Sequence, residues 1–334
     1  MPLSKKLLIA AVCCSVAGHC SIMYGIINPN SESSSSTTQS TSLDEQLIDA
    51  VANNEVEKVK ALLVNGANMN ATSNSLSHYY YGYTALMIAL ANGYTDIVQA
   101  LLDVGADVNL KSTTANKTTP LMVAVKRNAQ ADIVQVQQLL NKGAKVDLKD
   151  YYGQTALRFA VSRGCLAVVQ ALLGAGANPD LQDNDGNVVL KLAAYQLWPE
   201  LKSYPDIVQA LLEAGANPNL RDSNGSTVLC YSIRYIARLN ESHKNDPEFA
   251  SKIALTYKLI IELLKRGADP LIKGFQDKTP LDLANTIGNE VIRTRVIALI
   301  NRCRQRYLAE LPEKRPILRT YMINDIAESI VDKY

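Results

Sequence analysis

DIVQALLDVGADVN, residues 96–109, decides the fold. Ile97, Leu101 and Leu102 recur at the spacing of one helical face, with Val98 and Ala100 filling beside them, so one side of this segment packs inward. Gly105 ends the helix. A residue just past a helix end commonly takes the left-handed conformation, which costs a non-glycine residue roughly 1–2 kcal/mol.

The same ending recurs along the chain. A Gly, a small residue and then Asn or Asp follow an apolar helical stretch at Gly66, Gly105, Gly143, Gly176, Gly215 and Gly267, the third copy reading GAK. A second pattern opens a helix at Thr84, Thr119, Thr155, Val188, Thr227 and Thr279, in the forms TALMIA, TPLMVA, TALRFA, VVLKLA, TVLCYS and TPLDLA. The threonines suit helix N-caps, and Pro120 and Pro280 stand at the first helical position, where no amide hydrogen is missed. Val188 lacks that cap. One helix pair has nothing to bury against, so the pairs must stack.

These motifs resemble the ankyrin repeat, with its TPLHxA opening, its EIVxLLLxxGADVN second helix and its period near 33 residues. The resemblance covers residues 43–302 and implies an all-α repeat solenoid with β-hairpin fingers, an ankyrin-repeat stack of about seven helix pairs. Met87, Met122, Arg158, Lys191, Cys230 and Asp282 replace the opening His of the pattern. That substitution is expected to remove a local hydrogen bond and weaken individual repeats. Met87 and Met122 suit core packing.

Two intervals measure insertions. Four gaps from repeat end to the next opening are equal, Asp147 to Thr155, Asp180 to Val188, Asn219 to Thr227 and Leu271 to Thr279, whereas Asn70 to Thr84 is six residues longer and Asn109 to Thr119 two longer. The first finger has therefore gained most. The helix pair from Thr227 to Gly267 is longer than that from Thr84 to Gly105 by 19 residues. An extended first helix plus a loop over residues 238–251, away from the fingers, is the expected form.

In the family, partners meet the finger tips and the exposed side of each first helix. The matching positions here hold Tyr80, Tyr81 and Tyr83 around Gly82, Tyr151 and Tyr152 before Gly153, and Arg163, Tyr195, Arg234 and Tyr235 at helix ends. Tyr and Arg are enriched at the energetic centres of interfaces. The alternative is that some of these tyrosines pack across their own fingers, as Tyr does in strands.

Other segments carry an address or a tail. Residues 1–27 read as a signal peptide or N-terminal membrane anchor, with Lys5 and Lys6 ahead of a mostly apolar run and small residues at Val16, Ala17 and Gly18. Export to a secreted or periplasmic location after cleavage is expected, membrane anchoring by residues 7–27 being the alternative. Residues 28–42 form a Ser/Thr-rich linker. Residues 303–334 form a basic C-terminal tail or helical cap, and the alternative function is that this tail binds nucleic acid or anionic lipid with the repeats as scaffold.

Composition narrows the function. With 34 basic and 32 acidic residues the net charge is +2, so no global field points to nucleic acid or membrane. Cys165, Cys230 and Cys303 are odd in number and widely spaced beyond the N-terminal segment, which is no disulfide framework and no zinc site. HExxH, GxSxG and GxxxxGK[ST] do not occur. The expectation is a monomeric, non-enzymatic module without metal or cofactor, whose partner is an unidentified protein; nucleic acid is disfavoured, and membrane contact requires residues 7–27 to stay uncleaved.

Overall fold

The computed structural model describes residues 42–74, 80–127, 133–195, 204–242 and 248–309. The signal or anchor segment, nearly all of the linker and most of the tail lie outside them. Within the described residues, fourteen α-helices form seven antiparallel pairs. They are α1 (Leu43–Ala52) with α2 (Val56–Val64), α3 (Ala85–Asn92) with α4 (Thr95–Asp103), α5 (Pro120–Lys126) with α6 (Ile133–Asn141), and α7 (Ala156–Ser162) with α8 (Leu166–Gly174). Then come α9 (Val189–Tyr195) with α10 (Tyr204–Glu213), α11 (Val228–Ser242) with α12 (Phe249–Lys265), and α13 (Pro280–Ala284) with α14 (Glu290–Ala309). Among the described residues no helix is long and apolar enough to cross a membrane.

Five of the seven first helices start at a capping Thr, α1 starts at Ser42, and α9 follows Val188, which has no hydroxyl. Thr84 Oγ1 accepts from the Met87 amide at 3.2 Å, and Thr119, Thr155 and Thr227 do the same for Met122, Arg158 and Cys230. Thr279 goes further, because its own amide donates to the Asp282 carboxylate at 2.8 Å and closes a capping box. The helices then bury what the pattern supplies. Leu86, Met87, Ile97, Leu101 and Met122 lose essentially all solvent contact, and one continuous core runs from Leu47 to Ile300.

The repeat-ending Asn or Asp joins neighbouring pairs. The side-chain oxygens of Asn70, Asn109, Asp147, Asp180 and Asn219 accept from the backbone amides of Asp107, Lys145, Asn178, Asn217 and Asp269, at 2.9, 2.7, 3.0, 2.8 and 2.6 Å. Each acceptor serves the next repeat in line. The motif thus specifies stacking as well as a turn, and it gives partners to loop amides just beyond each second helix.

The fingers differ from the expected hairpins. Among the described residues no strand forms; the first finger holds one isolated antiparallel bridge, Thr72 with Thr84, and the others are turns closed by two main-chain bonds such as Asp150 N to Gln154 O at 2.9 Å and Gly153 N to Asp150 O at 3.1 Å. They are too short for a ladder. Consecutive fingers instead bond to one another through Thr113 N to Gly82 O, Tyr151 N to Asn116 O and Asn184 N to Tyr152 O, at 2.9, 2.9 and 3.1 Å. Gly153, with φ of +75°, lies so close to the next finger that a Cβ there would sit 2.8 Å from the Asn184 nitrogen.

The large insertion is shared more evenly than expected. It lengthens α11 to 15 residues and α12 to 17, against the 9 of α4. The apolar residues of α12 explain this. Ile253, Tyr257 and Ile260 bury at helical spacing, so the second helix extends upward beside the first to cover it.

Candidate functional site

The predicted residues fall into three settings. Tyr81, Tyr151 and Tyr152 are exposed by 46%, 61% and 53%, and the last two rings meet edge to face with centroids 5.4 Å apart. Aromatic area of this kind is left in water at the tips. The backbone around them is fixed, because Asp150 Oδ1 accepts from the Tyr152 amide at 2.9 Å and Asn184 Nδ2 donates to the Tyr151 carbonyl at 2.9 Å.

Tyr80 and Tyr83 are held differently. Both are half-buried against the core, their rings 6.2 Å apart, and the Tyr80 hydroxyl donates to Asn92 Oδ1 at 2.8 Å at the end of α3. These two brace the first finger. Residues 75–79 of the lengthened finger, Tyr79 among them, lie outside the described residues.

The helix-end residues divide as well. Arg163 follows α7, is exposed, and donates to the Lys126 carbonyl of the preceding pair. Arg234 is half-buried with its guanidinium 5.6 Å from the Tyr231 ring. Tyr235 is buried to 8% exposure because the lengthened α12 covers that side of α11, so it serves as packing more than as open surface. Tyr195 closes α9, and its side chain lies outside the described residues.

A set of residues escaped the sequence reading. Asp150, Asp183 and Asp222 each stand five positions before a helix opening and are buried. One carboxylate oxygen of each accepts two amides of its own finger, as Asp183 Oδ1 does from Asp185 and Asn187 at 3.0 and 2.8 Å. The other oxygen faces the preceding pair. Asp150 meets Lys126 at 3.9 Å, Asp183 meets Arg158 at 3.3 Å, and Asp222 bonds Lys191 and the Tyr231 hydroxyl.

Two of the six positions that lack the opening His make a bond between repeats instead. Arg158 and Lys191 stand at that position and replace a local bond with an ion pair to the next finger. Where the next finger lacks the Asp, the cation is absent too: Cys230 faces Gly274, where a Cβ would lie 3.0 Å from its sulfur. Met122 departs from this pairing, since the next finger has Asp150 and the cation that meets it is Lys126, one turn farther along α5.

Electrostatics follow from this burial. Desolvation pushes the Asp222 carboxyl up, but the bonds from Lys191, Tyr231 and the Ser226 amide together outweigh it and hold the group below its ordinary value. Burial lowers Lys126, and nearby Asp150 only partly opposes that. The Cys230 thiol is pushed up by burial, which leaves it a poor nucleophile.

The first helices pack against one another more closely than the second helices do, which puts the first-helix row on the inner side of the stack. On that side Tyr81, Tyr151, Tyr152 and Arg163 are exposed, whereas Lys126, Arg158 and Lys191 are engaged by buried carboxylates.

Comparison with known proteins agrees with this architecture. The ankyrin-repeat family model matches residues 8–112, 47–136 and 105–185, and a single-repeat model matches residues 185–223. XBAT34 of Arabidopsis thaliana, a candidate E3 ubiquitin-protein ligase, is 34% identical over 132 residues, 39% of this chain and 33% of that protein. The B-cell lymphoma 3 protein homolog of Mus musculus is 35% identical over 103 residues, 30% of this chain and 22% of that protein. The chain thus spans a third or less of these relatives. The solved ankyrin repeat domain of Bcl-3 superposes with a TM-score of 0.57 at 24% identity, covering 78% of this chain and 98% of that one, a likeness of fold. With two motifs in register, seven stacked pairs and these matches, the chain belongs to the ankyrin-repeat family.

Proposed function

We propose that this chain, as a single copy, binds a partner protein through its finger tips and the inner face of its first helices. Ankyrin repeats are protein-interaction modules in general, and the stack described above is one. The observation that carries the finer reading is the exposure of Tyr81, Tyr151 and Tyr152 on fingers whose backbone is already satisfied by other residues. Folding has no use for three large rings left in water. Hot spots at interfaces are rich in Tyr because the side chain brings area and a polar end at low entropic cost. The test is quantitative capture of the partner by the unmodified chain and by Tyr81→Ala/Tyr151→Ala/Tyr152→Ala, with equal loss-free melting of both. Undiminished capture by the triple variant moves the interface elsewhere.

Localisation belongs to the same reading. We propose export, supported by Lys5, Lys6 and the apolar residues that follow, so the partner is met outside the cytosol.

A further inference from the structure

Eight residues before each repeat-ending Gly, the second helices of pairs two to six carry Ile97, Gln135, Val168, Ile207 and Leu259. All five are buried, Gln135 to 1% exposure. One polar side chain thus stands in a column that is otherwise apolar. The next position stays Val or Ile throughout, as Val98, Val136, Val169, Val208 and Ile260, so α6 gives up a single residue of its apolar face.

Gln135 is not compensated. Among the described residues neither its Oε1 nor its Nε2 has a hydrogen-bond partner, and Gln138 Oε1, one turn later on the same side, is buried without one as well. An amide stripped of water without a partner costs free energy that a buried Ile or Val does not. The packing shows the counterpart. Of the neighbouring second helices from α2 to α12, α4 and α6 touch least, and α5 with α6 is the loosest of the seven pairs. What crosses from α4 to α6 is polar and lies at the surface: Gln138 Nε2 donates to Gln99 Oε1 at 2.9 Å, and Lys142 stands 3.8 Å from Asp103 with both side chains half exposed. Exposed contacts of that kind hold little. By contrast α3 and α5, the first helices of the same two pairs, are among the most closely packed neighbours in the stack.

We propose that α6 is a soft joint, which lifts from α4 ahead of the other second helices while the first-helix row stays closed. Local opening starts where few apolar contacts hold an element. Its place gives it a use. Tyr81 lies on the finger ahead of pair two, and Tyr151 and Tyr152 lie on the finger ahead of pair four, so pair three separates the two parts of the exposed tyrosine surface. Opening at α6 changes the rotation from pair two to pair four, and with it the spacing of those parts against a partner. The joint rests on packing alone, and this use of it rests on the partner-binding reading above.

The test is amide hydrogen exchange of the full chain under native conditions, read by mass spectrometry. Amides of α6 are expected to exchange roughly tenfold or more faster than those of α8 and α10. Gln135→Ile and Gln135→Val, which restore the residue types of the column, should slow α6 by roughly tenfold and leave α8 and α10 nearly unchanged. Both replacements are β-branched and lower intrinsic helix propensity, so slower exchange reports packing. Gln137→Ala, at an exposed position of the same helix, should leave the α6 rate nearly as it is. Exchange of α6 no faster than that of α8 and α10, or unslowed in both column variants, overturns the proposal. That result would leave the finger reading standing, whereas a finger-tyrosine triple variant that captures its partner normally would remove the joint's use without touching the exchange rates.

Discussion

Arg158 Nη2 stands 3.3 Å from Asp183 Oδ2, so a first helix is tied to the finger of the following pair. Lys191 and Asp222 repeat that relationship one pair later, with the Tyr231 hydroxyl 2.7 Å from the same oxygen. In each case a buried carboxylate holds its own finger with one oxygen and the neighbouring repeat with the other. Replacing Lys191 with Met keeps the stem and removes the charge, leaving Asp222 to its remaining donors. The expected loss is about 1.5–3 kcal/mol, the usual worth of a hydrogen bond to a charged group, read from denaturant midpoints at constant slope.

The same carboxylate makes stability depend on acid. Asp222 is held below its ordinary value when folded, so it binds fewer protons than the unfolded chain does as pH falls. Its contribution is complete above the unfolded value of about 3.9 and is lost as pH drops through the lower folded value. Melting temperature followed from pH 6 downward should fall more steeply below about pH 4 in the unmodified chain than in Asp222→Asn. Parallel curves would show that the group is not thermodynamically coupled to folding.

The core prediction concerns Leu101, which is fully buried between pairs. Leu101→Ala should cost about 2–5 kcal/mol, and because neighbouring pairs share their apolar contacts the transition should remain single. Chemical denaturation followed by far-UV circular dichroism checks both points. An unchanged midpoint would show that the helix faces the other way.

Tyr80 and Tyr81 are adjacent and should behave oppositely. Tyr80→Phe removes the bond to Asn92 and is expected to cost about 0.5–1.5 kcal/mol of stability. Tyr81→Ala, combined with the Tyr151→Ala and Tyr152→Ala changes, should leave melting nearly untouched and weaken partner capture by about 2 kcal/mol, roughly thirtyfold. A triple variant that loses fold and binding together would assign these rings to packing.

N-terminal sequencing of the protein recovered from its source tests the address read in residues 1–27. A start near His19 is the expected result and accords with cleavage after the small residues at Val16, Ala17 and Gly18. Met1 in a membrane fraction would support the anchor, and Met1 in the cytosol would refute both.

The sequence by itself determined the repeat. Thr at most openings, apolar residues at helical spacing and Gly at the repeat ends are local requirements of short helices, so they are written at fixed positions and can be read one repeat at a time. It also placed Tyr81, Tyr151 and Tyr152 on the fingers, where they are exposed. Tertiary structure decided what lies between repeats. Tyr235 fills a family surface position yet is buried, because the insertion went into α12 as well as α11 and the longer second helix covers it. Arg158 and Lys191 looked like losses within their own repeats and became bonds to the next, since the carboxylates they meet, Asp183 and Asp222, lie 25 and 31 positions farther along the chain. A helix start depends on neighbours three or four residues away, whereas the fate of a charge or a ring depends on which distant segment stacking brings against it.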